Sequence, residues 1–160
     1  MSSILVVDDD SQSLESTRKI IEHAGYEVET ATDGHAALDR VRSGATISVI
    51  VSDVRMPRMG GMEFLRALSV CGEKVPVILM TAFGTVEDAV WALKFGAVDF
   101  LSKPFRRQVL IDAVQAAVKR SGRAPQPVET KMVGVSASMK RLEQEITQVA
   151  QTLATVLITG

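Results

Sequence analysis

Cysteine and histidine are scarce in this sequence. Among 160 residues there are one cysteine, Cys71, and two histidines, His23 and His35. A single cysteine cannot form a disulfide within the chain, and three such residues fall short of the four ligands of a structural zinc site. We therefore expect a protein of a reducing compartment, and we interpret Cys71 as a packing residue.

An excess of basic residues is also missing. The 18 lysines and arginines are balanced by 19 aspartates and glutamates, which gives a formal net charge of −1. Proteins that bind a phosphate backbone need a basic surplus, so direct nucleic-acid binding is not expected. No apolar run approaches the roughly 20 residues that cross a bilayer, and the first residues lack the basic start of a signal peptide. We expect a soluble, cytoplasmic protein that does not contact membranes.

Short apolar runs rich in valine and isoleucine recur along the chain. They lie at residues 4–7, 47–51, 75–80 and 98–101, with a weaker run at 27–30. Stretches of helical spacing separate them, and the last of these, over 106–120, is expected to close the domain. Because strands that are apolar throughout suit a parallel sheet covered on both faces, the pattern predicts an α/β fold: a doubly wound, five-stranded parallel sheet.

Acidic residues follow two of these predicted strands. Asp8, Asp9 and Asp10 come directly after the first strand, and Asp53 follows the third. In such sheets ligands bind at the carboxyl ends of the strands. If the first and third strands are neighbours, these carboxylates converge, and a hard divalent cation would relieve their repulsion. We expect Mg²⁺ here, with Lys103, at the end of the fifth strand, as a charge that can reach a phosphoryl oxygen.

Four segments together resemble the receiver domains of two-component response regulators. They are VVDDD at 6–10, SDVRMP at 52–57, MTA at 80–82 and FLSKPF at 100–105. Each motif alone is weak, but four in this order, each at the end of a predicted strand, are highly specific. The resemblance covers residues 1–120 and implies the flavodoxin-like receiver fold, with a short extension at the C-terminus.

The resemblance implies a chemical role for each acidic position that matches. Asp53 would be the phosphoacceptor and would also contact Mg²⁺. Asp9 would bind the metal directly, and Asp8 would do so directly or through water. The backbone carbonyl of Arg55 would complete the protein ligands.

The resemblance also implies a switch. Thr81 would form a hydrogen bond to the phosphoryl group, and Lys103 would pair with it. Phe100 would turn inward when Thr81 moves, which would shift an equilibrium between two packings of the fourth strand and fourth helix. The Lys103–Pro104 peptide bond is expected to be cis.

The fourth helix is expected to carry part of the output surface. It opens at Thr85 with an acidic residue three positions on, which predicts a capping box. Projection at about 100° per residue groups its predicted core positions and places two aromatic residues opposite them. The core positions are Val86, Ala89, Val90 and Leu93, and the aromatic residues are Trp91 and Phe95.

The implied function is that of a signalling domain rather than an enzyme. A sensor histidine kinase would donate the phosphoryl group, and phosphorylation would change the surface of the fourth helix and fifth strand. The chain would regulate transcription as part of a two-component system, and it is expected to form a homodimer.

The C-terminal segment carries a second resemblance. Residues 132–160 resemble the opening of the AAA+ ATPase domain of sigma-54-dependent activators of the NtrC type, and Gly160 would be the first glycine of its Walker A loop. This predicts a receiver domain at 1–120, a linker at 121–130 and an AAA+ fragment at 131–160. The remaining ATPase and the DNA-binding parts would lie outside this chain.

Two other functions fit parts of the sequence. Asp8 and Asp10 match the D-x-D signature of haloacid dehalogenase-type phosphohydrolases, in which Asp8 would be the nucleophile, but that interpretation gives Asp53 no role. A docking module that works without phosphorylation is the second alternative. The intact phosphoacceptor, metal-binding, threonine and lysine positions argue against it.

Overall fold

Five strands alternate with five helices in residues 3–121, which are the residues that the computed structural model describes. In chain order the elements are β1 (Ser3–Val7), α1 (Ser11–His23), β2 (Val28–Ala31), α2 (Gly34–Arg42), β3 (Ile47–Asp53), α3 (Gly61–Val70), β4 (Val77–Thr81), α4 (Val86–Lys94), β5 (Asp99–Ser102) and α5 (Arg107–Ser121). None of these helices is long and apolar enough to cross a membrane. The predicted α/β fold is confirmed, whereas residues 122–130 of the predicted linker and the predicted AAA+ fragment at 131–160 lie outside the described residues.

The strands form one parallel sheet in the order β2-β1-β3-β4-β5. β1 therefore lies between β2 and β3, and its last residue, Val7, is in register with Ser52 of β3. β4 lies between β3 and β5, and its last residue, Thr81, is in register with Ser102 of β5. The residues that follow β1, β3 and β5 consequently meet at one edge of the sheet, as the sequence predicted.

Two apolar layers cover the two faces of the sheet. Successive strand residues alternate between them: Leu5 and Val7 pack with α2, α3 and α4, whereas Ile4 and Val6 pack with α1 and α5. Because the inner strands β1, β3 and β4 are covered on both sides, their apolar residues follow one another without a polar alternation, unlike those of the partly exposed edge strand β2. This explains why the strands are recognisable as continuous runs in the sequence.

The start of α4 is fixed by the predicted capping box. The amide of Asp88 donates to Oγ1 of Thr85 at 3.1 Å, and the amide of Thr85 donates to Oδ2 of Asp88 at 3.2 Å. Two backbone donors that the helix itself leaves without an acceptor are thereby satisfied.

The predicted faces of α4 are confirmed for Ala89 and wrong for Val90 and for the two aromatic residues. The residues buried against the sheet are Ala89 and Ala92, while Val90 is 36 % exposed. Trp91 and Phe95 are half-buried, stack on each other with ring centroids 4.1 Å apart, and pack against the layer that covers this face of the sheet. The small side chains let the helix approach the sheet closely, and the two aromatic rings fill the space beside it.

Cys71 lies outside the core, contrary to its interpretation as a packing residue. It is exposed immediately after α3, and Nη2 of Arg42 lies 3.1 Å from its sulfur atom. A short side chain at the exposed end of a helix cannot reach the apolar layers on either face of the sheet.

Candidate functional site

Three carboxylates converge at the edge of the sheet where β1 and β3 end. One oxygen each from Asp8, Asp9 and Asp53 can be chosen so that all three lie within 4.8 Å of one another. Asp8 is only 1 % exposed and Asp53 is 8 % exposed, whereas Asp9 faces solvent. The structure thus brings together three of the predicted metal-binding positions and leaves one of them open to water.

Lys103 supplies the positive charge of this cluster. Its Nζ donates to Oδ1 of Asp53 at 2.8 Å and to Oδ2 of Asp8 at 2.9 Å. The residue follows β5. Its backbone amide donates to the carbonyl of Thr81 at 2.8 Å, which holds the backbone of Lys103 beside the last residue of β4. The Lys103–Pro104 peptide bond is cis, as predicted.

Ser13 joins the same cluster and was missed by the sequence prediction. Its Oγ donates to Oδ2 of Asp8 at 2.6 Å and accepts from Nζ of Lys103 at 3.0 Å. Asp10 caps α1 by accepting from the amides of Gln12 and Ser13, so the first turn of this helix brings the serine back over the end of β1. A serine in the first turn of a helix gives no signal in the sequence that would mark it as part of a site.

Backbone amides hold the two buried carboxylates in place. The amide of Asp10 donates to Oδ1 of Asp8 at 3.0 Å, and the amide of Arg55 donates to Oδ2 of Asp53 at 3.0 Å. Each carboxylate therefore has one oxygen on a backbone donor and the other on Lys103. Hydrogen bonds to ionised groups are stronger than neutral ones, and these fix the direction of both carboxylates.

Burial and charge act in opposite directions on the central pair. Burial raises the pKa of Asp53, while the hydrogen bond and the charge of Lys103 act to lower it. Burial also disfavours the charged form of Lys103, but its hydrogen bonds to Asp53 and Asp8 outweigh this and raise the pKa of the ammonium. The three carboxylates still exceed the single ammonium, so the cluster attracts a further cation.

The two predicted switch residues lie side by side. Thr81 ends β4 and is buried, and its Oγ1 accepts from the amide of Phe83 at 3.2 Å. Phe100 of β5 is also buried and already points into the layer that contacts α4. A Cβ at Gly84 would lie 2.6 Å from Cγ2 of Thr81 and 2.7 Å from Cε1 of Phe100. The coupled movement of the two side chains stays a prediction.

The loops that follow β3 and β4 contact each other. The guanidinium of Arg55, in the loop after β3, lies over the ring of Phe83, in the loop after β4, with 5.6 Å between Cζ and the ring centroid. The phenylalanine is 72 % exposed. For Arg55 the structure shows a side chain over an aromatic ring and an amide bonded to Asp53, and the metal contact of its carbonyl stays a prediction.

The geometry does not favour a D-x-D phosphohydrolase. Such an enzyme needs the second acid of the motif near its substrate, whereas the carboxylate of Asp10 caps α1. Asp8, the nucleophile of that alternative, is only 1 % exposed, less than the 8 % of Asp53.

Several characterised proteins are similar to this chain over nearly its whole length. The transcriptional regulatory protein ZraR of Salmonella typhimurium is 37 % identical over 163 residues, which cover 98 % of this chain and 37 % of that protein. The C4-dicarboxylate transport transcriptional regulatory protein DctD of Pseudomonas aeruginosa is 35 % identical over 171 residues, with 99 % and 37 % covered. The chain therefore spans little more than a third of the length of these relatives.

Solved structures with the same fold are receiver domains. The receiver domain of NtrX from Brucella abortus has a TM-score of 0.68 and 30 % identity over 73 % of this chain and 98 % of that one. The receiver domain of the Francisella response regulator 1452 has a TM-score of 0.71 and 32 % identity over 76 % and 99 %. Residues 4–115 match the family model of the response regulator receiver domain, well over half of the sequence, and the chain therefore belongs to the response regulator receiver family.

Proposed function

We propose that Asp53 accepts a phosphoryl group from a sensor histidine kinase in a Mg²⁺-dependent reaction. The observation that carries this proposal is the arrangement of one buried carboxylate between a second carboxylate and an ammonium. Oδ1 of Asp53 lies 2.8 Å from Nζ of Lys103, and one oxygen of Asp53 lies within 4.8 Å of an oxygen of Asp8 and an oxygen of Asp9. An ion pair that only stabilises the fold needs a single carboxylate beside the ammonium. Further carboxylates at the same place are expected where a metal ion binds next to a phosphoryl group.

The donor set fits Mg²⁺. The candidate ligands are all hard oxygens, and Mg²⁺ usually keeps several waters beside one or two carboxylates. The solvent-facing Asp9 gives those waters room. We assign Asp9, Asp53 and the backbone carbonyl of Arg55 as direct protein ligands, with Asp8 bound directly or through one of the waters. When bound, the cation would neutralise negative charge on the phosphoryl oxygens and on the attacking carboxylate.

Asp53 acts as the nucleophile in this proposal. One of its carboxylate oxygens forms a bond to phosphorus while the bond from phosphorus to the imidazole nitrogen of the donor breaks, and that nitrogen keeps the electron pair. The amide of Arg55 holds one oxygen, so the carboxylate cannot rotate freely. Lys103 moves from the carboxylate to a phosphoryl oxygen, which keeps its charge next to the developing negative charge.

The proposed output begins at Thr81. Its hydroxyl oxygen stops accepting the hydrogen bond from the amide of Phe83, and the hydroxyl donates a hydrogen bond to the phosphoryl group. Because Phe100 touches the same space beside Gly84, a change in the threonine changes the packing of the aromatic ring and of α4. The altered surface of α4 and β5 would then act on the rest of the protein.

The wider role is part of the same proposal. The similar transcriptional regulators are much longer than this chain, so we infer that it acts with a sigma-54 activator ATPase and a DNA-binding domain. Residues 131–160 would begin that ATPase domain after the linker at 121–130. We further propose a homodimer in the cytoplasm as the working form.

Mass spectrometry after incubation with acetyl phosphate tests the chemistry. The wild type should gain one phosphoryl group on Asp53 only when Mg²⁺ is present, and Asp53→Ala should gain none. Asp39→Ala, which removes an exposed carboxylate on α2, should behave as the wild type. A phosphoryl group on Asp8 would favour the phosphohydrolase alternative. If no donor, including a phosphorylated histidine kinase, modifies the chain, the docking alternative stands.

A further inference from the structure

We propose that Ser13 is a positioning residue of the phosphoryl-transfer site, and that its hydroxyl keeps Lys103 aimed at the reacting group through the reaction. The inference rests on the proposed function and adds a residue to it. Its basis is a single hydroxyl that contacts both the ammonium and a buried carboxylate: Oγ of Ser13 lies 3.0 Å from Nζ of Lys103 and 2.6 Å from Oδ2 of Asp8.

The three donors of the Lys103 ammonium are fully used in this structure. A lysine ammonium has three N–H groups and no acceptor. They point to Asp53 at 2.8 Å, to Asp8 at 2.9 Å and to Ser13 at 3.0 Å. With all three engaged, an otherwise flexible four-carbon side chain is held in one position, and the entropy cost of holding it is offset by charged hydrogen bonds.

Two of these three acceptors change during the proposed reaction, and Ser13 does not. Asp53 becomes an acyl phosphate, and Asp8 shares its charge with the metal. The hydroxyl of Ser13 is neither the nucleophile nor one of the assigned metal ligands. It therefore remains available as an acceptor when Lys103 turns to the phosphoryl oxygen, so that one hydrogen bond of the ammonium is kept throughout.

The hydroxyl is not needed for the start of α1. There the cap is Asp10, whose carboxylate accepts from the backbone amides of Gln12 and Ser13. A serine that served only the helix would direct its oxygen to a backbone group of its own turn. The oxygen of Ser13 instead reaches Lys103, 90 residues away along the chain.

The variant Ser13→Ala tests the inference, with Ser13→Thr as the conservative variant that keeps the hydroxyl. Ser11→Ala is the matched control, because Ser11 lies in the same turn and is exposed, and no side-chain hydrogen bond of this residue is found within residues 3–121. Two quantities are measured in each protein after circular dichroism has shown that it is folded. One is the rate of phosphorylation by acetyl phosphate with Mg²⁺, and the other is the ¹⁵N signal of the Lys103 ammonium.

We expect Ser13→Ala to accept the phosphoryl group about tenfold more slowly, which corresponds to the loss of one hydrogen bond to a charged group. Its ammonium signal should broaden or disappear, because a donor left without an acceptor exchanges its protons with water. Ser13→Thr should restore both quantities to near the wild-type values, and Ser11→Ala should change neither.

Two results would overturn the assignment. One is a Ser13→Ala protein with the wild-type rate and a sharp Lys103 signal. The other is a Ser13→Thr protein as slow as Ser13→Ala, since this would mean that the size of the side chain matters and the hydroxyl does not. If the wild type itself accepts no phosphoryl group, the proposed function fails, and the ammonium signal still decides whether Ser13 positions Lys103.

Discussion

Nη2 of Arg58 lies 2.6 Å from Oδ2 of Asp33, which ties the loop after β3 to the start of α2. The pairing is reinforced by the amide of Gly34, which donates to the carbonyl of Met59 at 3.0 Å. Arg58 has φ of 68°, a left-handed conformation that disfavours any residue with a Cβ. The loop that carries Arg55 is thus held by a strained residue and its ion pair.

We expect Arg58→Gly to be more stable than Arg58→Ala by about 1 kcal/mol. Both variants lose an ion pair whose arginine is 73 % exposed, and such pairs contribute about 0–1 kcal/mol. Only glycine also removes the conformational strain. Urea denaturation of the two variants measures the difference, and equal midpoints would contradict the role given to the backbone.

Asp33→Ala should lower the free energy of unfolding, measured by urea denaturation, more than Arg58→Ala does. The buried carboxylate caps α2 by accepting from the amide of Ala36 at 2.9 Å, and loss of a cap costs about 1 kcal/mol. That hydrogen bond, followed by the charge of Arg58, outweighs partial burial and lowers the pKa of Asp33. Its contribution is therefore present above the pKa of the unfolded chain and is lost as the pH falls through the lower pKa of the folded state.

Lys103→Met is expected to bind Mg²⁺ more tightly while it accepts the phosphoryl group more slowly. The ammonium already occupies oxygens of Asp8 and Asp53 that a metal would use, and its removal would take away the repulsion between two neighbouring cations, so affinity should rise roughly tenfold. Titration calorimetry measures the affinity, and Lys74→Met, at an exposed loop lysine, is the control. Weaker Mg²⁺ binding in Lys103→Met would show that the lysine supports the metal site.

Gly84→Ala should lower the free energy of unfolding by about 1–3 kcal/mol, the usual cost of overpacking. The added methyl group would meet Cγ2 of Thr81 and the edge of Phe100, both of which are buried. In a Phe100→Leu background the same substitution should cost less, because the shorter side chain leaves room for the methyl group. An identical cost in both backgrounds, measured by urea denaturation, would show that the methyl group does not compete with the ring.

Asp99→Asn should be more stable than the wild type at neutral pH. The carboxyl group of Asp99 is buried in β5, and burial raises its pKa from 3.8 to about 6, against a backbone hydrogen bond from Phe100 and the charge of Arg120. A raised pKa means that wild-type stability falls as the pH rises from about 4 to about 6, by at most roughly 3 kcal/mol. Thermal unfolding of both proteins at pH 4 and pH 7.5 measures this, and a constant gap would contradict it.

The edge of the sheet where the site lies could be predicted because several independent patterns agree there. Runs of valine and isoleucine locate the strands, and the acidic residues and Lys103 lie at or just after the end of a strand. In a parallel sheet the ends of such strands meet on one side, so the approximate positions of Asp8, Asp53 and Lys103 follow from the order of the strands alone.

Ser13 and the burial of Ala92 and Trp91 in α4 could not be predicted, for two different reasons. A serine near the start of a helix is common, and only the three-dimensional position of Lys103 shows what it contacts. In α4, hydrophobicity was a poor guide to burial. Ala89 and Ala92 face the sheet because small side chains allow close approach, while the larger Trp91 fills space at the side.

The long separation in sequence between the members of the charge cluster has a consequence for folding. Lys103 lies 95 residues after Asp8 and 50 after Asp53, and it reaches them only when β5 pairs with β4. Contacts between such distant residues form late because the intervening chain must first be ordered. During synthesis, a chain that has not yet added its last strand holds its acidic residues without their ammonium. The proposed ability to accept a phosphoryl group should therefore appear in a single step, when the sheet is complete.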